Sequence, residues 1–286
     1  MFAHDPIAFV SLFLALLLNP PAHAAERTPA DLVLVQQGTL PIILTAPHGG
    51  REAIPGVAPR TPEDKGKVEA SRRWGGFDTR HDVNTDVLAQ DIATEIEKLT
   101  GKKPYLVMAK FERKYIDANR PPEIGLDDPK ARPYYDYYHS SIRSFIDDVR
   151  GKYPAGLLID VHGQGKNRKV LMRGTRNGGT ITALLKRAGV PAVTGPNGVF
   201  AQLEANGFKV FPGNDVPPAG TSENAGYKGG YTVSIYGSHI ADGIDAVQME
   251  FGGKYLAKAV LDKSARNAAR AIAAFHEAYL KEVAIK

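Results

Sequence analysis

The chain contains no cysteine, and that absence removes several chemistries at once. There is no disulfide framework, no thiolate nucleophile, no iron–sulfur cluster and no zinc finger. A metal, if one is held, must be held by histidine nitrogen and carboxylate oxygen. A strong charge bias is missing too: 36 Lys and Arg against 31 Asp and Glu leave +5 over 286 residues. The basic residues are spread along the sequence, and aromatics do not alternate with them, which argues against nucleic acid as a partner. No internal repeat, low-complexity tract or linker divides the chain, so one domain is expected. Hydrophobic residues at 43% and charged residues at 23% suit an ordinary globular protein.

Long apolar runs are scarce as well. Ile7–Leu18 is an unbroken apolar stretch apart from Ser11, too short to span a bilayer comfortably. It is followed by Asn19-Pro20-Pro21 and then Ala22-His23-Ala24, the h-region and small-residue cleavage site of a secretory signal peptide. The segment before it has no Lys or Arg, a departure from that pattern. Residues 1–24 are therefore expected to be a leader, and residues 25–286 a single catalytic domain that is periplasmic or secreted. Loss of the leader removes one charged residue, Asp5, and leaves the remainder at +6. No later stretch approaches the roughly 18 apolar residues of a transmembrane helix, so no stable membrane anchor is expected after processing.

What remains alternates strands and helices. Leu40–Ala46 and Gly156–Val161 are short apolar runs that stop at Pro47-His48-Gly49-Gly50 and at His162-Gly163. Tyr105–Ala109 and Ile244–Phe251 read the same way, the latter stopping at Gly252-Gly253. Helical spacing marks Asp82–Leu99, with apolar residues at 83, 87, 88, 92, 96 and 99 and Asp82 as its N-cap. Tyr134–Val149, closed by Gly151, Thr180–Ala188, Val199–Ala205 and Ala257–Val283 are further helices, and residues 51–80 form a long loop. This alternation predicts an α/β domain with a parallel or mixed sheet.

Ligands in open α/β sheets collect beyond the carboxyl ends of strands. Three apolar runs end there in chemistry: His48, flanked by glycines; Asp160-Val161-His162; and Gln248-Met249-Glu250. Two histidines and a carboxylate form a hydrolytic zinc site that keeps one position for water. Glu250 is then placed to move that water's proton to a leaving amine. Singly, each residue has an ordinary reading: a loop histidine, a solvated strand end at Glu250, a helix cap at Asp82. Their joint occurrence favours a metallohydrolase.

Seven motifs in order extend this reading. They are PHGG at 47–50, D-x-x-T-x-x-L-A from Asp82, RKYIDANR at 113–120, Tyr138-His139, LLIDVHG at 157–163, YKGGYTVSIYG at 227–237 and DAVQMEFGGKYL at 245–256. Together they resemble the N-formylglutamate amidohydrolase family, itself similar in fold to zinc carboxypeptidases and aspartoacylase-type enzymes. The resemblance implies a three-layer α/β/α architecture with a mixed central sheet, one Zn²⁺ ion, and hydrolysis of an amide bond next to a carboxylate. By the same resemblance His48 and His162 are zinc ligands. For the carboxylate ligand Asp82 is preferred, with Glu52, Asp78 and His81 as alternatives, because the position three after His48, used by carboxypeptidase-like enzymes, is Arg51 here. Asp160, on the same strand face as His162, is expected to orient it. Glu250 matches the catalytic glutamate and Arg113 would hold the polarised carbonyl oxygen. Asn119, Arg120, Lys228, Gly229, Gly230 and Tyr231 would face the substrate, and His139 would be structural.

Two stretches depart from the family. Val233-Ser234-Ile235 stands where a basic residue is usual, and Lys166–Thr175 is not a close match. Both leave the substrate open between an N-acyl amino acid and a small acidic peptide, with some carboxylate-bearing molecule as the partner. The competing reading is an exported, non-catalytic protein that binds a carboxylate or peptide on the same scaffold.

Overall fold

The computed structural model describes Met1 and residues 27–63, 65–220 and 222–281. The expected leader, residues 1–24, therefore lies outside the described residues apart from Met1.

Seven strands form one mixed sheet: β1 (Val33–Gln36), β2 (Ile42–Ala46), β3 (Tyr105–Ala109), β4 (Leu157–Gln164), β5 (Leu171–Gly174), β6 (Val210–Phe211) and β7 (Asp245–Gly252), in the order β1-β3-β2-β4-β7-β5-β6. The central four, β3-β2-β4-β7, run parallel, whereas β1 is antiparallel to β3 and β5 antiparallel to β7. Strands β2, β3 and β7 are buried along their whole length, as near-continuous apolar runs require when helices cover both faces.

Four helices matter for the site: α1 (Thr85–Thr100), α2 (Arg132–Lys152), α3 (Tyr231–Tyr236) and α4 (Leu261–Tyr279). Strand parity sorts the two cores. On one face Ile42, Leu44, Ile159, Val161, Val247 and Met249 pack with Leu88, Ile92 and Ile96 of α1 and Ala268, Ile272 and Phe275 of α4. On the other Ile43, Val107, Leu158 and Ala246 pack with Tyr138, Ile142 and Phe145 of α2 and Val233 of α3. The three-layer α/β/α arrangement with a mixed sheet is thus present. Among the described residues, no helix is long and apolar enough to cross a membrane.

Several boundaries differ from the sequence expectation, each for a local reason. Helix α1 starts at Thr85 rather than Asp82, because Asn84 takes a left-handed conformation (φ 60°) just before it. Its buried stripe runs through Thr85, Leu88, Ala89, Ile92, Ala93 and Ile96, while Val83, Val87 and Leu99 are exposed. Gly151 does not close α2; the helix continues to Lys152 and Tyr153 caps it. The terminal helix runs over Leu261–Tyr279 and begins later than Ala257, after a 3₁₀ turn at Lys258–Val260; the expected end at Val283 lies outside the described residues. The expected loop at 51–80 contains a helix, Lys65–Ser71, and a 3₁₀ turn at Arg72–Trp74. Strands β1, β5 and β6 are short, and their residues carry no long apolar run.

Candidate metal centre and the cleft around it

On the α2 and α3 side of the sheet, the apolar face gives way to polar groups toward the carboxyl ends of β2, β4 and β7. Registration pairs Thr45 with Asp160, Asp160 with Gln248 and His162 with Glu250. Because these residues share the parity of Ile43, Leu158 and Ala246, all five project from the same face. His48 follows β2 directly.

Three side chains converge there. His162 Nδ1 lies 3.1 Å and His48 Nδ1 3.5 Å from Asp82 Oδ2, and the three potential ligand atoms all lie within 4.8 Å of one another. A tetrahedral zinc ion with bonds of about 2.0–2.1 Å separates its ligand atoms by about 3.3 Å. Buried His48 Nδ1 has no hydrogen-bond partner, as an atom reserved for an ion would. Residues and spacing therefore fit a divalent metal, with Asp82 as the carboxylate. Of the alternatives, Glu52 turns away to pair with Arg27, and Asp78 is engaged by Arg80 at 2.7 Å. His81 lines the cleft outside the triad.

Each histidine is oriented from behind. His48 Nε2 donates to Asp117 Oδ1 at 2.7 Å, and His162 Nε2 donates to Asp160 Oδ2 at 2.8 Å. Thr45 Oγ1 donates to the other oxygen of Asp160 at 2.6 Å. Committing both Nε2 protons to carboxylates turns both Nδ1 atoms toward Asp82. Asp82 does not cap a helix; its backbone N–H donates to the His48 carbonyl (2.9 Å), and its Oδ2 accepts from the Gly163 N–H (3.1 Å). The glycine after His48 serves packing rather than ligand approach: a Cβ at Gly49 would stand 2.2 Å from the Asp86 nitrogen at the start of α1.

Asp117 was not among the residues singled out from the sequence, although it lies inside the RKYIDANR motif. It is fully buried and gathers the polar groups around it. Its Oδ2 accepts from Arg113 Nε (3.0 Å) and Nη2 (2.9 Å), with Arg60 and Arg120 at 3.8 and 3.9 Å. Burial alone would raise its pKa; Arg113, Arg120 and His48 hold it well below the usual carboxylate range. Asp82 is likewise held low by His162 and His48 against the effect of burial. Burial would lower the His162 pKa, but Asp160 and Asp82 raise it well above the usual value.

Glu250 faces the cleft, and its Oε1 accepts from Gln248 Nε2 at 2.7 Å. Gln248 Oε1 in turn accepts from the Gly230 N–H at 2.7 Å, so this glutamine, assigned no separate role from the sequence, ties the glutamate to the loop before α3. Burial pushes the Glu250 carboxyl up to about 8, reinforced by the charges of Asp82 and Asp160. A cation bound at the triad would pull it back down.

The remaining expected residues divide. Arg113 keeps Nη1 toward Asp82 Oδ1 at 3.7 Å, so part of its guanidinium faces the centre. Asn119 and Arg120 line the cleft, but the protein engages them: Asn119 Oδ1 accepts from the Thr232 N–H (2.8 Å), and Arg120 donates to the carbonyls of Asn119 and Gly76. Lys228, Gly229 and Gly230 line the cleft, whereas half-buried Tyr231 packs its ring edge-on against Trp74 at 5.2 Å. His139 is structural, its Nε2 donating to the Ala118 carbonyl at 3.0 Å. The cleft measures about 1120 Å³.

The fold is similar to that of N-formylglutamate amidohydrolase from Ralstonia eutropha JMP134. The two chains share 15% identity with a TM-score of 0.53, over 86% of this chain and 97% of that one. A gene product of Agrobacterium tumefaciens follows at 17% identity and TM-score 0.49, over 89% and 94%. N-acetylmuramyl-L-alanine amidase from Mycobacterium smegmatis is at 13% and 0.38, over 83% and 97%. No protein-family model and no curated protein matches the chain. At such identities the likeness establishes the fold, and the chemistry must be argued from the residues.

Proposed function

We propose that this protein is a metal-dependent amidohydrolase, with zinc as the metal, cleaving an amide bond in an N-acyl amino acid or a small acidic peptide outside the cytoplasm. The observation that carries this reading is the convergence of His48 Nδ1, Asp82 Oδ2 and His162 Nδ1 in a cleft that Glu250 also faces. The likeness in fold to an amidohydrolase supports the class of reaction.

His48, Asp82 and His162 would hold the ion, which when bound acidifies a water molecule and polarises a carbonyl. Glu250 takes a proton from the attacking water and delivers it to the leaving nitrogen. Gln248 fixes its Oε1, and among the described residues its Oε2 accepts no hydrogen bond and is left for that proton. Arg113 Nη1, held in place because its other nitrogens are bound to Asp117, is positioned to donate to oxygen charge that develops near the ion. Lys228 supplies a cation for a substrate carboxylate.

The test combines metal analysis with a substrate screen. The purified chain should bind about one zinc per molecule and hydrolyse some member of an N-formyl, N-acetyl and γ-glutamyl amide panel. Glu250→Gln should keep the metal and lose turnover by about 10³-fold or more, as removal of a general base does. Stoichiometric metal without turnover on any amide would leave the binding-protein reading; full activity in the variant would dismiss Glu250 as the base.

A further inference from the structure

The basic residues that look scattered along the sequence do not stay scattered. Among the described residues nine line the cleft; Arg80 pairs with Asp78 and Arg113 and Arg120 face Asp117, which leaves six, Arg73, Lys166, Arg168, Arg176, Lys228 and Lys258. Among the described residues none of the six has a carboxylate within ion-pair distance. Outside the cleft some exposed cations are matched, as in Lys98–Glu95, Arg132–Asp136 and Lys152–Asp148, and others are not; what sets the six apart is that they share one cleft. Of the acidic residues lining the cleft, Asp82 belongs to the triad, Asp78 to Arg80, and Glu250 to the centre.

The six fall on two walls. On the first, the guanidinium groups of Arg73 and Arg176 lie 5.3 and 5.9 Å from the ring centre of Trp74, and the Arg176 N–H donates to the Lys228 carbonyl. The second wall joins the turn after β4, which carries Lys166 and Arg168, to the segment after β7, which leads to Lys258. The Lys254 N–H donates to the Arg168 carbonyl at 2.9 Å, and a Cβ on Gly253 would stand 3.4 Å from Arg168 Nε. The triad lies between them. Asn119, against Gly230, stands 3.2 Å from His162 Nε2 on the first side, and Gly163, leading into the second wall, holds Asp82.

One N-acyl amino acid offers one or two carboxylates and is smaller than the drug-sized ligands that fill pockets of about 300–1,000 Å³. It cannot match six cations spread over two walls of a cleft of about 1120 Å³. We propose that the substrate is a polyanionic peptide, an oligomer of acidic residues with carboxylates on both sides of the cleaved amide, and that the two basic walls are the subsites that receive them. This rests on the hydrolase reading above. In the reaction water adds to the amide carbonyl carbon and the C–N bond breaks. The acyl part leaves as a carboxylic acid and the nitrogen leaves as an amine carrying the transferred proton.

The test uses the zinc-loaded full chain with glutamate oligomers of increasing length, joined through α- or γ-carboxyl groups. Glutamine oligomers and N-formyl- and N-acetylglutamate serve for comparison. The kcat/KM should rise about tenfold or more from the N-acylglutamates to a pentamer, and fall as salt screens the walls. Both Lys166→Gln/Arg168→Gln/Lys258→Gln and Arg73→Gln/Arg176→Gln should raise KM for the pentamer about tenfold, whereas Lys98→Gln/Lys152→Gln, outside the cleft, should not. Equal rates on N-acylglutamate and pentamer, equal rates on glutamine and glutamate oligomers, or wall variants that match the distant control would each overturn the proposal. Calorimetric binding of the glutamate pentamer separates the two readings. Salt-sensitive binding weakened by the wall variants but without cleavage would remove the hydrolase reading and keep the polyanion site; no binding would remove the site. Tighter binding of a charge-matched oligonucleotide would also overturn it, in favour of a phosphate polymer.

Discussion

Three arginines and one histidine crowd the two oxygens of Asp117. Asp117→Asn should therefore cost more than a hydrogen bond. We expect about 3–5 kcal/mol of stability lost, from leaving buried cations unpaired, and metal affinity reduced about 10–100-fold because His48 loses its orienting partner. Urea denaturation and competition with a metal indicator measure the two. His139 gives a pH dependence of opposite origin. Burial lowers its pKa from 6.5 to about 4, so below pH 6.5 the unfolded chain takes up a proton that the folded chain refuses. Its contribution to stability is full above pH 6.5 and is lost as pH falls toward 4, by about 2 kcal/mol at pH 5. Melts from pH 7 to 5 should flatten by that amount in His139→Gln. At this scale the sequence exposed side chains that meet in the cleft, since His48, His162 and Glu250 stand where apolar runs stop. It did not reveal the roles of Asp117 and Gln248, which come from partners far away in the chain: His48 lies 69 positions from Asp117, and Gly230 18 positions from Gln248.

Elements were legible in proportion to how completely they are buried. Strands β2, β3, β4 and β7 read as apolar runs because helices cover both of their faces, and α1, α2 and α4 read by their periodic stripes. The edge strands β1 and β6, and the short β5 beside β6, are held by pairing to their neighbours and leave little mark on composition. Helix starts were displaced where one residue, such as Asn84, adopts a conformation that spacing does not encode. The loop before α3 offers a sharper test. A Cβ at Gly230 would lie 2.3 Å from Asn119 Nδ2, inside the network that joins Thr232, Asn119 and His162. Gly230→Ala should cost about 1–3 kcal/mol through overpacking. It should also lower both turnover and metal content, because the displaced Asn119 reaches His162 and the Gly230 N–H holds Gln248 beside Glu250. Thermal melts and metal analysis of the same preparation check both.

At the level of the whole molecule, the triad draws on three separate stretches: the end of β2, the turn before α1 and the end of β4. An ion that binds only when those stretches are assembled stabilises the folded state. At a free concentration 1,000 times its Kd the gain is about 4 kcal/mol. Calorimetry with and without chelator should show that increment in the parent and lose it in Asp82→Asn. The α/β class was readable from alternation alone, but the strand order β1-β3-β2-β4-β7-β5-β6 was not, because it depends on which runs pair across the chain. The same blindness hid the basic cleft: positions 73, 166, 168, 176, 228 and 258 show no pattern until the fold assembles them.

Strand parity carries one more implication, for how this chain can vary in length. Asp160 and His162 on β4, and Gln248 and Glu250 on β7, share one side of the sheet only because each pair is spaced by two and the strands are paired in a fixed register. Deleting one residue within either strand, upstream of its pair, would swap that polar pair with the neighbouring apolar residues and point it into the opposite core. Insertions and deletions should therefore accumulate in the stretch between β5 and α3, and be purged from β4 and β7 even where every individual side chain is kept.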